Sequence, residues 1–202
     1  MKTIIIVDDH PIVRQGLRQI MMQSGEFEVI GEEEDANAAF RKVELLKPDL
    51  VCIDLSLKGM DGIDLIKLIR NNKFTSAILV ISMHDETIYA ERALKAGANG
   101  YVMKQEASET VIDAIRTVLA GNVYISTSMS QRVLKAMMPD KKGKSGVDKL
   151  SDRELQVFNL FGKGMRVQDI SKSLGISVKT IETHQASIKQ KLGLESSAEL
   201  SR

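Results

Sequence analysis

The amino-acid sequence predicts an α/β protein: a doubly wound parallel sheet followed by a small all-α domain. Three observations predict it. Apolar runs of about four residues recur at helix-length intervals, and such runs read as strands buried on both faces. They are Ile4-Ile5-Ile6-Val7, Leu50-Val51-Cys52-Ile53, Ile78-Leu79-Val80-Ile81 and Tyr101-Val102-Met103. Each run ends on a polar or charged residue: Asp8-Asp9, Asp54, Ser82 and Lys104. From Leu150 onward no strand pattern recurs and only short helical segments remain.

The elements follow in order. Strands are expected at 3–7, 27–31, 50–53, 77–81 and 100–103, with helices at 11–23, 36–46, 62–72, 86–96 and 108–120. Ser24-Gly25 stops the first helix, Lys47-Pro48 the second, and Gly97 caps the fourth. Repeated strand–helix units with right-handed crossovers give a flavodoxin-like (βα)5 sheet of order 2-1-3-4-5. Residues 121–138 read as partly helical, and Pro139–Gly146 as a flexible linker with nothing apolar to bury. Helices are then expected near 152–162, 167–174 and 178–192, with a stub from about 197. The domain boundaries are set at 1–120, 121–149 and 150–202.

Bulk properties narrow the class. In a chain of 202 residues, 43% apolar and 27% charged, one or two soluble domains are expected. No apolar run reaches the ~20 residues of a membrane helix. The first apolar run stops at two aspartates, too short for a signal-peptide core, so a cytoplasmic protein is expected. The single cysteine, Cys52, excludes an internal disulfide and sits in a strand run, as a core residue would. Residues 1–120 hold 14 Lys and Arg against 19 Asp and Glu, while residues 121–202 hold 14 against 8. A basic second half points towards nucleic acid.

In a doubly wound sheet the chemistry lies at the carboxyl ends of the strands. Asp8, Asp9, Asp54, Ser82 and Lys104 are therefore expected on one rim. Adjacent carboxylates repel unless a cation intervenes. A hard divalent ion such as Mg²⁺ (or Mn²⁺) suits them, since it takes one or two carboxylates plus a phosphate. Such an ion and Lys104 would neutralise a phosphoryl group arriving at a nucleophilic Asp54, with Ser82 bonding a phosphoryl oxygen. His10, beside Pro11 at a helix start, is assigned a solvent-edge or capping role. Glu32-Glu33-Glu34-Asp35 reads as a solvated loop, and the Met21-Met22 and Met137-Met138 pairs as packing.

The pieces Val7-Asp8-Asp9-His10-Pro11, Asp54 followed by Gly59-Met60-Asp61-Gly62, Ile81-Ser82-Met83 and Gly100-Tyr101-Val102-Met103-Lys104 resemble the receiver domain of bacterial two-component response regulators. The resemblance implies that Asp8 and Asp9 hold the metal. It makes Asp54 a further ligand and the acceptor of phosphoryl from a sensor histidine kinase. The Ser56 backbone carbonyl would complete the metal site. Ser82 would be the switch hydroxyl, Tyr101 the coupled aromatic and Lys104 the phosphoryl-pairing amine. The sequence departs from that pattern at Lys58 and Gln105, where receivers commonly carry proline. Without proline a cis bond before residue 105 would cost about 3 kcal/mol more, which puts the loop after Lys104 in question. Ser56 and His84 occupy positions that tune phosphoryl hydrolysis in similar domains.

The second half shows a helix-turn-helix pattern. Ser151 and Glu154 form a capping box, Gly175 makes a tight turn and Ser177 caps the last helix. On that helix Val178, Ile181, Ile188 and Leu192 share one face. Lys179, Thr183, Ala186, Ser187 and Gln190 lie opposite, with Glu182 at the edge, on a small polar face that suits a major groove. Leu150-Ser151-Asp152-Arg153-Glu154, Gly175 to His184, and Lys191-Leu192-Gly193 resemble the LuxR-type DNA-binding domain, so the whole chain is similar to the NarL/FixJ class. The resemblance implies DNA contacts by Lys179, Thr180, Glu182, Thr183, Ala186 and Ser187, with His184 and Lys191 meeting backbone or packing. Glu182 favours a cytosine amino group. Only about a turn and a half follows Ser196, short for the dimerising fourth helix of the class.

The expected function is a DNA-binding transcription regulator switched by phosphorylation of Asp54. It is not an enzyme beyond assisting its own phosphorylation and dephosphorylation. Partners implied are the sensor kinase, promoter DNA, a second copy when phosphorylated, and RNA polymerase; no membrane is implied. A phosphohydrolase is disfavoured by the basic half and the lack of a substrate-binding insertion. A ligand-sensing activator would need an aromatic-lined pocket, and the chain has 4% aromatics and no Trp.

Overall fold

The computed structural model describes residues 1–57, 60–106, 108–131, 146–196 and 199–200. The chain divides into two compact units, Met1–Met138 and Pro139–Arg202.

In the first unit five parallel strands, β1 (Lys2–Val7), β2 (Phe27–Glu33), β3 (Leu50–Ile53), β4 (Ala77–Ser82) and β5 (Gly100–Met103), lie in the order β2-β1-β3-β4-β5. Five helices alternate with them: α1 (Pro11–Ser24), α2 (Ala36–Leu46), α3 (Gly62–Asn71), α4 (Glu86–Ala96) and α5 (Ser108–Leu119). The order and register place Val7 beside Ile53 and Ser82 beside Met103. The residues that follow these strands therefore emerge at one rim.

The strands alternate which layer they feed. Ile4, Ile6, Leu50, Cys52, Leu79, Ile81 and Val102 pack with Leu17 and Met21 of α1 and with Val111, Ile115 and Val118 of α5. Ile5, Val7, Val51, Ile53, Ile78 and Val80 are equally buried, and α2, α3 and α4 pack side by side on that other face. Burial pushes the Cys52 thiol up to about 12, so it is a neutral core group.

Helix ends follow local chemistry. Asp35, Asp61 and Asp85 accept from Ala38, Ile63 and Thr87 N–H at 2.7–2.9 Å, capping α2, α3 and α4. Gly25 and Gly97 close α1 and α4 in the left-handed region, and Lys47 does so before Pro48. Gly62 starts α3 hard against the Asp54 loop: a Cβ there would lie 2.7 Å from Leu55 Cα.

The outer edge of β5 is covered. Tyr124 bridges Gly100, its carbonyl takes Tyr101 N–H at 2.8 Å, and its N–H reaches Asn99 O at 3.0 Å. A Cβ at Gly100 would meet Tyr124 O at 2.9 Å. Residues 127–131 turn helical beyond it, and the Glu86 carboxylate holds both the N–H and the hydroxyl of Ser126.

Two expectations are corrected here. Glu32 and Glu33 extend β2, where Arg14 and Arg18 pair with Glu32 and Lys42 with Glu33, and Asp35 is a helix cap. The run is no solvated loop. Met21 is buried but Met22 is 60% exposed, so only one of that pair packs. The 132–145 part of the expected linker, Met137-Met138, Lys58, and positions 197–198 of the expected stub lie outside the described residues.

The described residues of the second unit hold a 3₁₀ turn (Gly146–Lys149) and three helices: α6 (Asp152–Gly162), α7 (Val167–Leu174) and α8 (Val178–Leu192). Leu150, Leu155, Val157, Phe161, Ile170, Leu174, Ile181, Ile188 and Leu200 are its buried apolar residues. Val178 is 38% exposed and Leu192 half-buried. The buried stripe of α8 is therefore narrower than its periodicity suggests. Gly175 and Gly193 close α7 and α8.

Candidate functional sites

The rim of the sheet gathers the predicted side chains. Lys104 Nζ lies 2.6 Å from Asp8 Oδ2 and 2.8 Å from Asp54 Oδ2, with all three side chains at most 6% exposed. Burial alone would lower the ammonium pKa. The Asp54 and Asp8 carboxylates outweigh burial and hold it above the usual lysine value. Among the described residues no peptide bond is cis, so the turn after Lys104 delivers its ammonium through a trans bond to Gln105.

Lys104 satisfies only part of the carboxylate set. Asp9 Oδ1 and Asp54 Oδ1 are the buried side-chain oxygens left without a hydrogen-bond partner among the described residues. Bare anionic oxygens in a buried site are costly unless a cation meets them. Ligand atoms of Asp8, Asp9, His10 and Asp54 all lie within 4.8 Å of one another. The donor set thus fits one divalent cation.

The β1–α1 loop fixes two members of that set. Arg14 Nη1 donates to the Asp8 carbonyl at 2.5 Å, and the His10 N–H donates to Asp8 Oδ1 at 2.8 Å. His10 occupies the N-cap position of α1 but makes no side-chain cap. Its Nδ1 lies 2.6 Å from Asp9 Oδ1 and 3.3 Å from Asp8 Oδ1. The ring is solvent-edge as expected, but it faces the carboxylates. The order Asp-Asp-His gives no signal of where a ring will point.

Ser82 and Tyr101 form a second layer. Ser82 is fully buried, its Oγ accepting from His84 N–H at 3.3 Å and its carbonyl from Lys104 N–H at 2.9 Å. Tyr101, 1% exposed, points inward and donates its hydroxyl to the His84 carbonyl at 2.8 Å. Burial, first of all, raises its pKa. His84 stacks on Tyr89 at 4.5 Å and its Nε2 is 2.9 Å from the Ser56 hydroxyl. Ser82, Ser56, His84 and Tyr101 are one connected network beside Asp54.

In the second unit the last helix presents Lys179, Thr180, Glu182, Thr183, Ala186 and Gln190 to solvent. Thr180 Oγ1 pairs with Ser177 Oγ at 2.8 Å, and Thr183 Oγ1 donates to the Lys179 carbonyl. Ser187 departs from its expected place on this face. It is half-buried and donates to Glu154 Oε1 at 2.5 Å. Lys191 donates to both oxygens of Glu154 at 2.8 and 2.6 Å, and Ser151 N–H completes the set. Burial raises the Glu154 pKa, but Lys191, Ser187 and Ser151 prevail and hold it at about 2. The capping box was legible in sequence; its second use as an anchor for α8, 33 and 37 residues away, was not.

Comparison with known proteins matches this two-unit plan. Residues 4–116 match the response regulator receiver domain, and residues 148–202 match the bacterial regulatory proteins of the luxR family. The chain belongs to the LuxR-type response regulators. Fimbriae Z protein of Salmonella typhimurium is 33% identical, over 98% of this chain and 93% of that protein. Oxygen regulatory protein NreC of Staphylococcus aureus is 36% identical, over 98% and 94%. Among solved structures, RcsB of Salmonella typhimurium matches with a TM-score of 0.76 at 31% identity, over 99% of this chain and 94% of that one. RcsB of Salmonella enterica, bound to promoter DNA in the presence of the phosphomimetic BeF3−, matches at 0.72 and 32%, over 98% and 96%. As a response regulator of this type, the chain joins a receiver to a helix-turn-helix domain and is related to transcription regulators. Among its described residues no helix is long and apolar enough to cross a membrane.

Proposed function

We propose that phosphorylation of Asp54 switches the binding of promoter DNA by the second domain. The observation that carries this reading is the state of Asp54: one buried oxygen held by Lys104, the other without a partner. The receiver is taken as residues 1–120, the connection as 121–149 and the DNA-binding domain as 150–202.

A sensor histidine kinase is the proposed donor and Asp54 Oδ1 the nucleophile. Asp8, Asp9, Asp54 and the Ser56 carbonyl are assigned to Mg²⁺ (or Mn²⁺). When bound, the ion supplies charge neutralisation to the phosphoryl oxygens. Lys104 then pairs with the phosphoryl group in place of the bare carboxylate, and Ser82 donates its hydroxyl to a phosphoryl oxygen. Ser82 Oγ accepts from His84 N–H, and the His84 carbonyl receives Tyr101, so a movement of Ser82 toward the phosphoryl group would act on that network. The surface near β5 and α4 changes with it.

Lys179, Thr180, Glu182, Thr183 and Ala186 are assigned to the DNA face. They are the exposed side of a 15-residue helix, about the size a major groove admits. Ser187 contributes by fixing that helix on Glu154. A phosphorylated dimer would read two half-sites about one helical turn apart or a multiple of it, and contact with RNA polymerase would follow at the promoter. These partners set the protein in the cytoplasm. The test is size-exclusion with light scattering, with and without beryllofluoride and Mg²⁺, followed by a DNA shift assay. Dimerisation and tighter DNA binding on addition are expected. An unchanged mass together with unchanged DNA affinity would contradict the switch.

A further inference from the structure

The structure assigns His10 to the cation site as a nitrogen ligand, which makes the receiver pocket a site for imidazole-seeking divalent ions (Ni²⁺, Co²⁺, Zn²⁺) as well as for Mg²⁺. This rests on the reading of the acidic rim as a cation site.

Three observations carry it. The His10 Nδ1 lies inside the carboxylate cluster, 2.6 Å from Asp9 Oδ1, although the side chain is 63% exposed and has solvent to turn into. Asp9 Oδ1 nevertheless lacks a hydrogen-bond partner, so the ring is close to it without the alignment of a bond. Asp54 Oδ1, on a side chain 2% exposed, is also unpartnered within the same cluster. One ligand atom from each of Asp8, Asp9, His10 and Asp54 lies within 4.8 Å of the others, and His10 Nδ1 reaches Asp8 Oδ1 at 3.3 Å as well as Asp9, so the donors are those of a mixed oxygen–nitrogen site.

The backbone pre-positions the ring. The His10 carbonyl takes the N–H groups of Val13 and Arg14 at 3.1 and 3.2 Å, and its own N–H is fixed on Asp8. With Pro11 at the first helical position, φ there is locked. The backbone of His10 is thus held while its side chain keeps the freedom to turn toward an ion.

Ligand chemistry decides which ions profit. Mg²⁺ takes oxygen donors and gains little from imidazole. Nickel, cobalt and zinc favour imidazole, and their affinity for nitrogen–oxygen sites rises along the divalent series. Such an ion would occupy the oxygens assigned to Mg²⁺ and compete with it, so transition-metal load would act on phosphoryl uptake.

The experiment is calorimetric titration of the full-length, tag-free chain with Ni²⁺ and, separately, with Mg²⁺. Wild type, His10→Gln and the control His184→Gln, which lies in the second unit, are compared. The expected result is tighter binding of Ni²⁺ than of Mg²⁺ by wild type. His10→Gln should lower Ni²⁺ affinity about tenfold or more, the scale on which ligand-shell changes act. It should leave Mg²⁺ affinity unchanged, and the control should alter neither ion. A Zn²⁺-induced shift of the His10 ring resonances in NMR spectra gives a readout independent of affinity. Equal loss of both ions in His10→Gln would make the residue a loop support and overturn the proposal. Unchanged Ni²⁺ affinity in that variant, with Mg²⁺ still bound, would overturn it too. Failure of wild type to bind either ion would instead overturn the cation-site reading itself.

Discussion

The Lys104 ammonium donates to Asp54 Oδ2 at 2.8 Å, closing a contact between residues 50 positions apart in the chain. The same ammonium holds Asp8 at 2.6 Å, so one lysine neutralises part of a site crowded with acid.

Lys104→Met should therefore leave the carboxylates facing one another without a buried cation. Removing one partner of a buried pair costs about 3 kcal/mol or more. The expected loss is of that order in urea denaturation at neutral pH. Added Mg²⁺ should restore more stability to the variant than it adds to wild type. Equal gains would mean that the ion and the lysine do not share carboxylates.

Tyr101→Phe keeps the buried ring and deletes the hydroxyl that reaches the His84 carbonyl. A net loss of about 1 kcal/mol is expected from that hydrogen bond. If the pair couples the pocket to the surface, the variant should still take up phosphoryl but respond less to it in the DNA shift assay.

Glu154 makes a pH prediction with a definite sign. Its carboxyl is held at about 2 in the folded chain against an ordinary value of 4.5. The stabilisation is complete above the ordinary value and is lost as pH falls from there towards 2. Methyl NMR signals of Ile181 and Ile188 should report loosening of α8 over that range. In Lys191→Met the acid transition should begin at higher pH, because the cation that depresses the carboxyl is gone.

Lys179→Ala should weaken DNA binding across unrelated sequences and reduce the salt slope by about one if the ammonium meets a phosphate. Loss confined to one base position would make it a base reader instead.

Much of the fold was legible because the central strands are buried on both faces, so their apolar runs stand out. β3 and β5 came out to the residue. β2 did not, because it ends in Glu32 and Glu33, whose partners Arg14, Arg18 and Lys42 come from neighbouring helices. Paired charges on an edge strand look like a loop in sequence. Within the site, Asp8, Asp54 and Lys104 follow directly from strand ends. The direction of the His10 ring, the turning of Ser187 onto Glu154 and the exposure of Val178 depend on tertiary contacts, which no local spacing encodes.

The central claim is that Asp54 accepts the phosphoryl group. Intact-mass spectrometry of the full chain, incubated with a small acyl-phosphate donor and Mg²⁺, tests it most directly. Wild type should gain the mass of one phosphoryl group, lost again on hydroxylamine treatment, and Asp54→Asn should gain none. A wild-type chain that stays unmodified, or an Asp54→Asn chain labelled to the same extent, would contradict the account.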